Sequence, residues 1–223
     1  MTDQVTEQVT ELVDVAEGAP VLRVRPRFEG AKFAVTTETV ELPGAEVVER
    51  DLVRHPGAVG VVALDDDGRV LLVRQYRHAV GRALWELPAG LLDLPGEDPL
   101  VCAQRELWEE TGHEAARWDV LVDAFTSPGM SDESARIYLA RDVRPADGPA
   151  HEADGEERHM LVEWVSLDAV REGVLAGRLH NPLLVMGALA AGVLGDRGWQ
   201  GLRGSDAAWP VAPGHLVGGS AAP

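Results

Sequence analysis

The chain has 223 residues, which is enough to bury a sizeable core, so we expect one catalytic domain with a smaller appendage. Its 20 Lys and Arg face 37 Asp and Glu, and the resulting net charge of -17 argues against a nucleic-acid partner. The electrostatic field of this negative charge repels anionic compounds. A phosphate-containing substrate would therefore need divalent cations and a few local arginines to attract it to the protein.

Cysteine content and hydropathy favour the cytoplasm. Cys102 is the only cysteine, which excludes an internal disulfide and suits a reducing compartment. The N-terminal residues lack the basic start and the apolar core of a secretory signal. The longest apolar run, Leu183 to Leu194, is shorter than the roughly 20 residues that span a bilayer. We therefore expect a cytoplasmic protein that does not cross a membrane.

The N-terminal part of the chain carries strand signals. Residues 1–19 are polar and acidic and are expected to form a flexible arm. Residues 20–56 alternate between apolar and polar, which predicts a small antiparallel β subdomain ahead of a catalytic domain over 57–195. Gly57–Leu64 and Val70–Tyr76 flank an acidic turn with a glycine, and this pattern predicts a β-hairpin.

Strand and helix signals alternate in the rest of the chain. The clearest helix is Pro99–Thr111, where apolar residues recur at helical spacing and Gly112 offers a C-terminal cap. A later helix starts at the Asn181 cap with Pro182 in its first turn. Residues 196–223 are rich in Gly, Pro and Ala and predict an irregular tail. Further strands are predicted at Trp85–Gly90, Trp118–Phe125, Ala135–Ala140 and Met160–Val165.

Three glutamates lie close together on the predicted helix. Glu106 is three residues from Glu109 and four from Glu110, so the three side chains occupy neighbouring positions on one face. Like charges at this spacing destabilise a helix by roughly a few tenths of a kcal/mol per pair, whereas a hard divalent cation makes ligands of them. The alternative is a solvated acidic helix face, which is the commoner explanation when such a fragment occurs alone.

These glutamates belong to a longer pattern. Six residues separate Gly90 from Glu97, and seven more precede the segment Arg105-Glu-Leu-Trp-Glu-Glu-Thr-Gly112. The whole resembles the Nudix box, G-x5-E-x7-R-E-U-x-E-E-x-G-U. One extra residue lies between Gly90 and Glu97, as in some ADP-ribose pyrophosphatases of this family, and His113 replaces the usual apolar residue. The insertion falls in a loop, where it is tolerated, and every glutamate and the arginine of the pattern are present.

The resemblance to the Nudix family extends from about Val21 to Leu194 and implies an α/β fold, an α/β/α sandwich around a mixed sheet. It also implies a catalytic metal, Mg²⁺ with Mn²⁺ as an alternative, and Arg105 would orient the carboxylates that bind it. The implied metal ligands are Glu106 and Glu110, helped by Glu109, by Glu97 and by the backbone carbonyl of Ala89.

Similarity to the ADP-ribose pyrophosphatases of the family also implies substrate contacts. The strand ending at Arg77 and the segment Trp85–Gly90 are similar to theirs, so Arg77 would bind a phosphate and Glu86 a ribose or a partner group. Trp85 could stack on an adenine. Without these neighbouring motifs, Arg77 would be interpreted as a surface arginine and Trp85 as a core or interface residue.

A second similarity to these enzymes lies between two predicted strands. Pro128 follows Gly112 by sixteen residues, a spacing that marks ADP-ribose hydrolases in this family. The segment Ser127-Pro-Gly-Met-Ser-Asp-Glu133 resembles their substrate loop, so the implied contacts are Gly129, Met130 and Glu133. A tight turn between strands is the alternative, because these residue types form one in any case.

The catalytic base and the oligomeric state follow from the same resemblance. Such enzymes carry the base on a loop before the strand predicted at Met160–Val165, which makes Glu156 the first candidate, Glu157 the second and Glu152 a third. A solvated acidic loop is the alternative. Relatives commonly form homodimers through their N-terminal strands, and a small three-stranded unit needs another surface to cover its apolar face.

Three functions are compatible with this pattern. The favoured one is hydrolysis of ADP-ribose to AMP and ribose 5-phosphate. A pyrophosphatase acting on a nucleotide sugar such as GDP-mannose or ADP-glucose shares the diphosphate chemistry and differs in its pocket. A non-catalytic ADP-ribose-binding regulator is disfavoured, because the metal ligands are present and the acidic chain has no room for a DNA-binding segment.

Overall fold

The computed structural model describes residues 12–147 and 160–213. Within these ranges the chain forms eleven strands, three α-helices and one short 3-10 turn at His78–Val80. The strands are β1 (Val21–Glu29), β2 (Ala34–Leu42), β3 (Glu46–Arg54), β4 (Ala58–Ala63), β5 (Arg69–Arg77), β6 (Arg82–Glu86), β7 (Ala89–Leu91), β8 (His113–Phe125), β9 (Ser134–Pro145), β10 (Leu161–Ser166) and β11 (Arg203–Gly204). The helices are α1 (Pro99–Thr111), α2 (Leu167–Leu175) and α3 (Pro182–Gly195).

The strands form three sheets. The antiparallel sheet β1-β2-β3 occupies the residues predicted to be strand-rich at the N-terminus. A five-stranded sheet has the order β11-β8-β9-β4-β7, and its β4–β9 pair is parallel while its other pairs are antiparallel. The third sheet has the order β10-β5-β6. The sheet at the centre of the fold is therefore mixed, as the family resemblance predicts.

Side-chain alternation along β4 explains the layers. Val59, Val61 and Ala63 pack in one cluster with Leu107 and other apolar residues of α1. Val62 belongs to a second cluster, on the opposite face, that includes Leu184 and neighbouring residues of α3. Because successive side chains of a strand point to opposite faces, the five-stranded sheet lies between α1 and α3. This arrangement is the predicted α/β/α sandwich.

The prediction of a hairpin over residues 57–76 is wrong. The acidic turn forms, and the Asp65 carboxylate accepts hydrogen bonds from the backbone N–H groups of Asp67 and Arg69 at 3.0 and 2.7 Å. Beyond the turn, β4 and β5 share only the isolated bridge Leu64–Val70 and then separate into different sheets. Every residue of β4 is buried, as expected for a central strand covered by helices on both faces. The strand forms hydrogen bonds with β9 on one side and with β7 on the other.

Both predicted helices with cap signals form. Helix α1 covers the predicted residues, the Asp98 carboxylate accepts from the N–H of Leu100 at 2.8 Å, and Gly112 ends the helix in the left-handed conformation. Helix α3 begins after Asn181, whose side chain accepts from the N–H of Leu184 at 3.0 Å. No helix in the described ranges combines the length and the apolar character that crossing a membrane requires.

Candidate metal and catalytic site

Helix α1 and strand β7 bring the predicted metal ligands together. The backbone N–H of Ala89 donates to Glu110 Oε2 at 3.0 Å. Gly90 lies against Glu106 so closely that a Cβ atom at Gly90 would be 2.0 Å from Glu106 Oε1. The absence of a side chain at Gly90 therefore lets the carboxylates of α1 lie directly against the backbone of β7.

Arg105 lies at the centre of this cluster. Its guanidinium makes a bidentate pair with Glu97, at 2.9 and 3.0 Å, which spans the loop between β7 and α1. Its Nη1 also donates to Glu106 at 2.6 Å and to Glu109 at 2.8 Å. Hydrogen bonding to the Glu97 carboxylate raises the pKa of Arg105, and the same bond lowers the pKa of Glu97. Glu97 is therefore ionised at neutral pH.

The cluster carries an excess of negative charge that is largely shielded from water. Glu97, Glu106 and Glu109 have side chains only 10%, 13% and 21% exposed, and Arg105 is 26% exposed. Glu110 lies beside them against the backbone of β7, so four carboxylates from α1 and the preceding loop are grouped with a single arginine. Carboxylate oxygens are the donors that a hard divalent cation prefers, so the donor set fits Mg²⁺ or Mn²⁺.

Glu97, Glu106 and Glu109 are oriented toward Arg105 and Glu110 toward the N–H of Ala89, rather than all four toward a common centre. Within residues 12–147 and 160–213, no group of three or more His, Cys, Asp or Glu side chains is arranged so that it could hold a metal ion. A cation bound here would require Glu106 and Glu109 to turn away from the guanidinium. The metal-ligand roles of Ala89, Glu97, Glu106, Glu109 and Glu110 thus stay predictions, although the fold gathers all five residues.

Cys102 lies beneath the same cluster. Its side chain is fully buried on α1, and its Sγ atom accepts from Arg105 Nη2 at 3.4 Å. Burial raises the pKa of the Cys102 thiol to about 12. The thiol is therefore protonated at neutral pH and acts as a small packing group, in agreement with its interpretation as a buried apolar residue.

Arg77 and Glu86, two of the predicted substrate contacts, bind each other. Arg77 Nε and Nη2 donate to the two oxygens of Glu86 at 2.9 and 2.7 Å, across the β5–β6 pair. Glu86 is 1% exposed, whereas the side chain of Arg77 is 43% exposed. Glu86 therefore fixes the orientation of Arg77, and only Arg77 of the two presents a substantial surface to solvent. Their direct roles in substrate binding stay predictions.

Trp85 is placed on the opposite side of strand β6 from Glu86. Its ring packs against the core cluster that contains α3, and the guanidinium of Arg74 lies 5.9 Å from the ring centroid. It also lines a small cavity of about 180 Å³ beside α2, together with Leu72 and Val165. These contacts favour the core interpretation of Trp85, and its stacking on adenine stays a prediction.

The predicted substrate loop connects β8 and β9. Met130 is held by its backbone, whose carbonyl accepts from the N–H of Val53 at 2.8 Å, while its side chain is 58% exposed. Glu133 Oε2 accepts from the Thr126 hydroxyl, and Glu133 Oε1 lies 3.9 Å from His55 Nε2. At Gly129 an added Cβ would meet no atom within 4 Å, so this position opens to solvent.

Sequence reasoning missed the residue that fixes this loop. Arg54, the last residue of β3, donates to Asp132 Oδ2 at 3.0 Å and also pairs with the buried carboxylate of Glu38 on β2. The backbone N–H of His55 donates to Asp132 Oδ1 at 2.8 Å. Arg54 and Asp132 are 78 positions apart, and no local pattern in the sequence connects them.

The predicted base candidates Glu156 and Glu157, with Glu152, lie outside the described residues.

The chain matches the model of the NUDIX domain over residues 54–183, more than half of its length. It is 48% identical over 161 residues to ADP-ribose pyrophosphatase of Mycobacterium tuberculosis (strain ATCC 25618 / H37Rv), with 72% of this chain and 77% of that protein covered. ADP-ribose pyrophosphatase of Bacillus subtilis (strain 168) is 37% identical over 144 residues, covering 65% of this chain and 77% of that protein.

Among solved structures, the crystal structure of an ADP compounds hydrolase superposes with a TM-score of 0.66 at 21% identity, covering 84% of this chain and 100% of that chain. At this identity the likeness concerns the fold alone, and it agrees with the sandwich described above. The matched residues include β4, the loop bearing Glu97 and the whole of α1, so the family match covers the cluster around Arg105. The chain therefore belongs to the NUDIX domain family.

Proposed function

We propose that the protein hydrolyses the diphosphate bond of ADP-ribose to give AMP and ribose 5-phosphate. The observation that carries this proposal is the cluster of Glu97, Glu106, Glu109 and Glu110 around Arg105, packed against the backbone of Ala89 and Gly90. The choice of ADP-ribose is supported by the 48% identity to a protein with the name ADP-ribose pyrophosphatase.

Nudix hydrolases generally need a divalent metal, and we propose Mg²⁺, with Mn²⁺ as the alternative. When bound, the metal would neutralise charge on the diphosphate and lower the pKa of a coordinated water. The chain's own part is to supply carboxylate oxygens from α1 and Glu97, with the Ala89 carbonyl completing the set. Hydrogen bonds from Arg105 lower the pKa of Glu97 and hold Glu97, Glu106 and Glu109 close together beside β7, where the metal would bind.

In the proposed reaction a water oxygen forms a bond to one phosphorus, and the bond from that phosphorus to the bridging oxygen breaks. The proton of the water passes to a carboxylate base, for which Glu156 is the first candidate and Glu157 the second. Arg77, oriented by its bidentate pair with Glu86, would contact a phosphate of the substrate. Met130 and Glu133 on the β8–β9 loop would contact the ribose groups.

Product analysis tests the proposal directly. Purified protein is incubated with Mg²⁺ and ADP-ribose, GDP-mannose or ADP-glucose, and the products are separated by chromatography. We expect AMP and ribose 5-phosphate in equal amounts from ADP-ribose, at a kcat/KM above those for the two nucleotide sugars. No AMP from ADP-ribose would reject the proposal, and faster cleavage of a nucleotide sugar would transfer it to that substrate class.

The metal role is tested with Glu110→Gln, which keeps the size of the side chain and removes its charge. We expect kcat to fall at least about 100-fold, because several kcal/mol of charge stabilisation are lost in the transition state. Each tenfold fall in rate corresponds to about 1.36 kcal/mol of activation free energy. Glu114→Gln is the matched control, since Glu114 lies on β8 and pairs with Arg144. Unchanged turnover in Glu110→Gln would contradict the assigned role.

We also propose a homodimer that forms through the N-terminal sheet. Large apolar side chains of this sheet are exposed in the single chain, among them Val24 at 51%, Phe28 at 52% and Val47 at 54%. A three-stranded sheet with such residues on its surface gains stability when a second copy covers them. Light scattering at micromolar concentration is expected to give twice the mass of the chain, and a monomer would reject the dimer.

The remaining expectation, a cytoplasmic location, is supported by the cysteine content. The lone Cys102 is buried and reduced, so no disulfide contributes to the fold. We propose the cytoplasm on this ground, and fractionation of cells with an antibody to the protein is the test.

A further inference from the structure

A segment that follows α3 runs along the five-stranded sheet from its β11 edge, past β9, to the start of β4. We call residues 203–213 the strap. At its start, Arg203 and Gly204 pair with Val120 and Asp119 of β8, at one edge of the sheet. At its end, Pro213 lies against Gly57, directly before β4 and close to the opposite edge, where β7 carries Ala89. The strap thus connects the β11 edge of the sheet with the start of β4, the strand that pairs with β7.

A buried arginine holds the middle of the strap. Arg136 on β9 is 3% exposed, and it donates to the carbonyl oxygens of Ala207 and Ala208 at 2.8 and 2.9 Å. Its charge is balanced by a bidentate pair with Asp123 of β8 at 2.8 and 3.0 Å. The ring of Trp209 lies 5.0 Å from the same guanidinium. A buried charge with two carbonyl acceptors fixes the path of the backbone that supplies them.

The end of the strap is connected to the loop that carries Glu97. A Cβ atom at Gly57 would be 2.1 Å from Pro213 Cγ, so the proline ring packs directly on the backbone of Gly57. The carbonyl of Gly57 accepts from the N–H of Leu92 at 3.1 Å. Leu92 is the first residue after β7 and begins the loop to α1. A displacement of Pro213 would therefore reach the loop through one packed backbone and one hydrogen bond.

The strap and the loop also line an open cavity of about 390 Å³ on the surface. Trp209, Ala212 and Pro213 line it from the strap, and residues 92–97 line it from the loop. Glu97 is in this lining and also makes the bidentate pair with Arg105. The strap thus lies beside the part of the loop that carries Glu97.

We propose that the strap is a positioning element of the candidate metal site, anchored by Arg136, and that it sets the position of the β7–α1 loop and of Glu97. Trp209 and Pro213 are positioning residues, since neither belongs to the cluster around Arg105. The strap lies outside residues 54–183 that match the family model, so the role is assigned from the contacts of this chain alone. The inference rests on the proposed function for its kinetic consequence but not for its structural one.

The structural test is amide hydrogen exchange in metal-free protein. The double variant Trp209→Ala/Pro213→Gly removes two strap side chains that line the cavity and retains both Arg136 and Asp123. We expect exchange of residues 92–98 to become roughly tenfold faster, because a segment with fewer packed contacts opens more easily. Exchange of helix α3 should stay unchanged.

The matched control is Trp199→Ala. Trp199 belongs to the same C-terminal part of the chain but packs near Leu194 and Arg141, away from the loop. This variant loses a ring of the same size, so it measures the effect of general destabilisation. We expect no change of exchange in residues 92–98 in this control.

The kinetic test measures the Mg²⁺ concentration for half-maximal activity. We expect the double variant to need roughly tenfold more Mg²⁺, which is at the lower end of the loss of metal affinity caused by removing a residue that supports a metal ligand. The value of kcat at saturating Mg²⁺ should stay within about twofold of the parent. The exchange experiment needs neither metal nor substrate, so it decides the role of the strap even if the chain fails to hydrolyse ADP-ribose. Unchanged exchange of residues 92–98 in the double variant, or an equal change in Trp199→Ala, would overturn the proposal.

Discussion

Replacement of Gly90 by alanine is a sharp steric test of the candidate site. The φ angle of Gly90 is not in the left-handed region, so alanine introduces no backbone strain. Its Cβ would lie 2.0 Å from Glu106 Oε1 and 2.1 Å from Glu106 Cδ, whereas ordinary contact begins at 3.4 Å. The carboxylate must therefore withdraw by about 1.4 Å, the difference between 2.0 and 3.4 Å. This displacement also breaks its alignment with Arg105 Nη1.

The expected loss is large in rate and moderate in stability. A misplacement of about 1 Å at a reacting centre costs roughly 100-fold, so kcat for ADP-ribose should fall by this factor or more in Gly90→Ala. Overpacking of this kind costs about 1–3 kcal/mol of unfolding free energy, which leaves a folded protein for the assay. Steady-state kinetics at saturating Mg²⁺ and urea unfolding measure the two quantities.

Gly60→Ala is the control for this experiment. Gly60 pairs with Ala89 across the β4–β7 ladder, but a Cβ there would meet its nearest atom, in Leu183, at an ordinary 3.5 Å. The control should keep kcat within about threefold of the parent, as expected for a site without overpacking. If Gly90→Ala retained a similar rate, the space that Gly90 leaves for Glu106 would not be needed for catalysis, and our account of the site would be refuted.

Further substitutions separate the other contacts. Arg105→Met should lower the unfolding free energy of metal-free protein by about 3–5 kcal/mol in urea, because it removes the positive charge that three mostly buried carboxylates share; a loss below about 1 kcal/mol would contradict this role. The pKa of Glu97 is lowered from 4.5 in the folded state, so its stabilising contribution is present above pH 4.5 and is lost as the pH falls further. Glu97→Gln should therefore show a shallower acid-side loss of stability than the parent in pH-dependent urea unfolding, and an identical slope would disprove the assignment. Arg54→Met should raise KM roughly fivefold with kcat within twofold, since the β8–β9 loop loses its ion pair to Asp132; an unchanged KM would show that the pair does not position the loop. Cys102 should not react with iodoacetamide at pH 8 until the protein unfolds, because burial raises its pKa to about 12, and modification of native protein, measured by mass spectrometry, would contradict that burial.

Local signals in the sequence were sufficient for the centre of the site. Helix α1 was predicted with both of its boundaries, because Pro99, the apolar spacing and Gly112 all act within a few residues of one another. The Nudix box pattern fixes the order of Gly90, Glu97 and the glutamates of α1, and the fold brings all of them together around Arg105. The α/β/α sandwich followed from the family resemblance and is present in the structure.

Features that depend on distant residues were not predictable from local patterns. The hairpin prediction over residues 57–76 was wrong because the turn signal is local, whereas the partners of β4 are β7 and β9, which lie farther along the chain. The pairing of Arg54 with Asp132 and the contact of Arg136 with the strap also join residues far apart in the sequence, so no local pattern predicts them. The turn-rich composition after residue 196 indicated irregular backbone, but composition alone does not reveal what such backbone packs against.

The parallel pairing of β4 with β9 also sets a constraint on how the protein reaches its native state. Ala58 pairs with Ala135, so the ribosome must synthesise 77 further residues before the central strand meets its parallel neighbour β9. Contacts with such long sequence separation form slowly, since a large loop must close before they contribute. In the interval the wholly apolar strand Ala58–Ala63 is a segment of the type that chaperones bind and that aggregates readily. The rate-limiting event in biogenesis should accordingly be the closure of the central sheet, well after helix α1 can form.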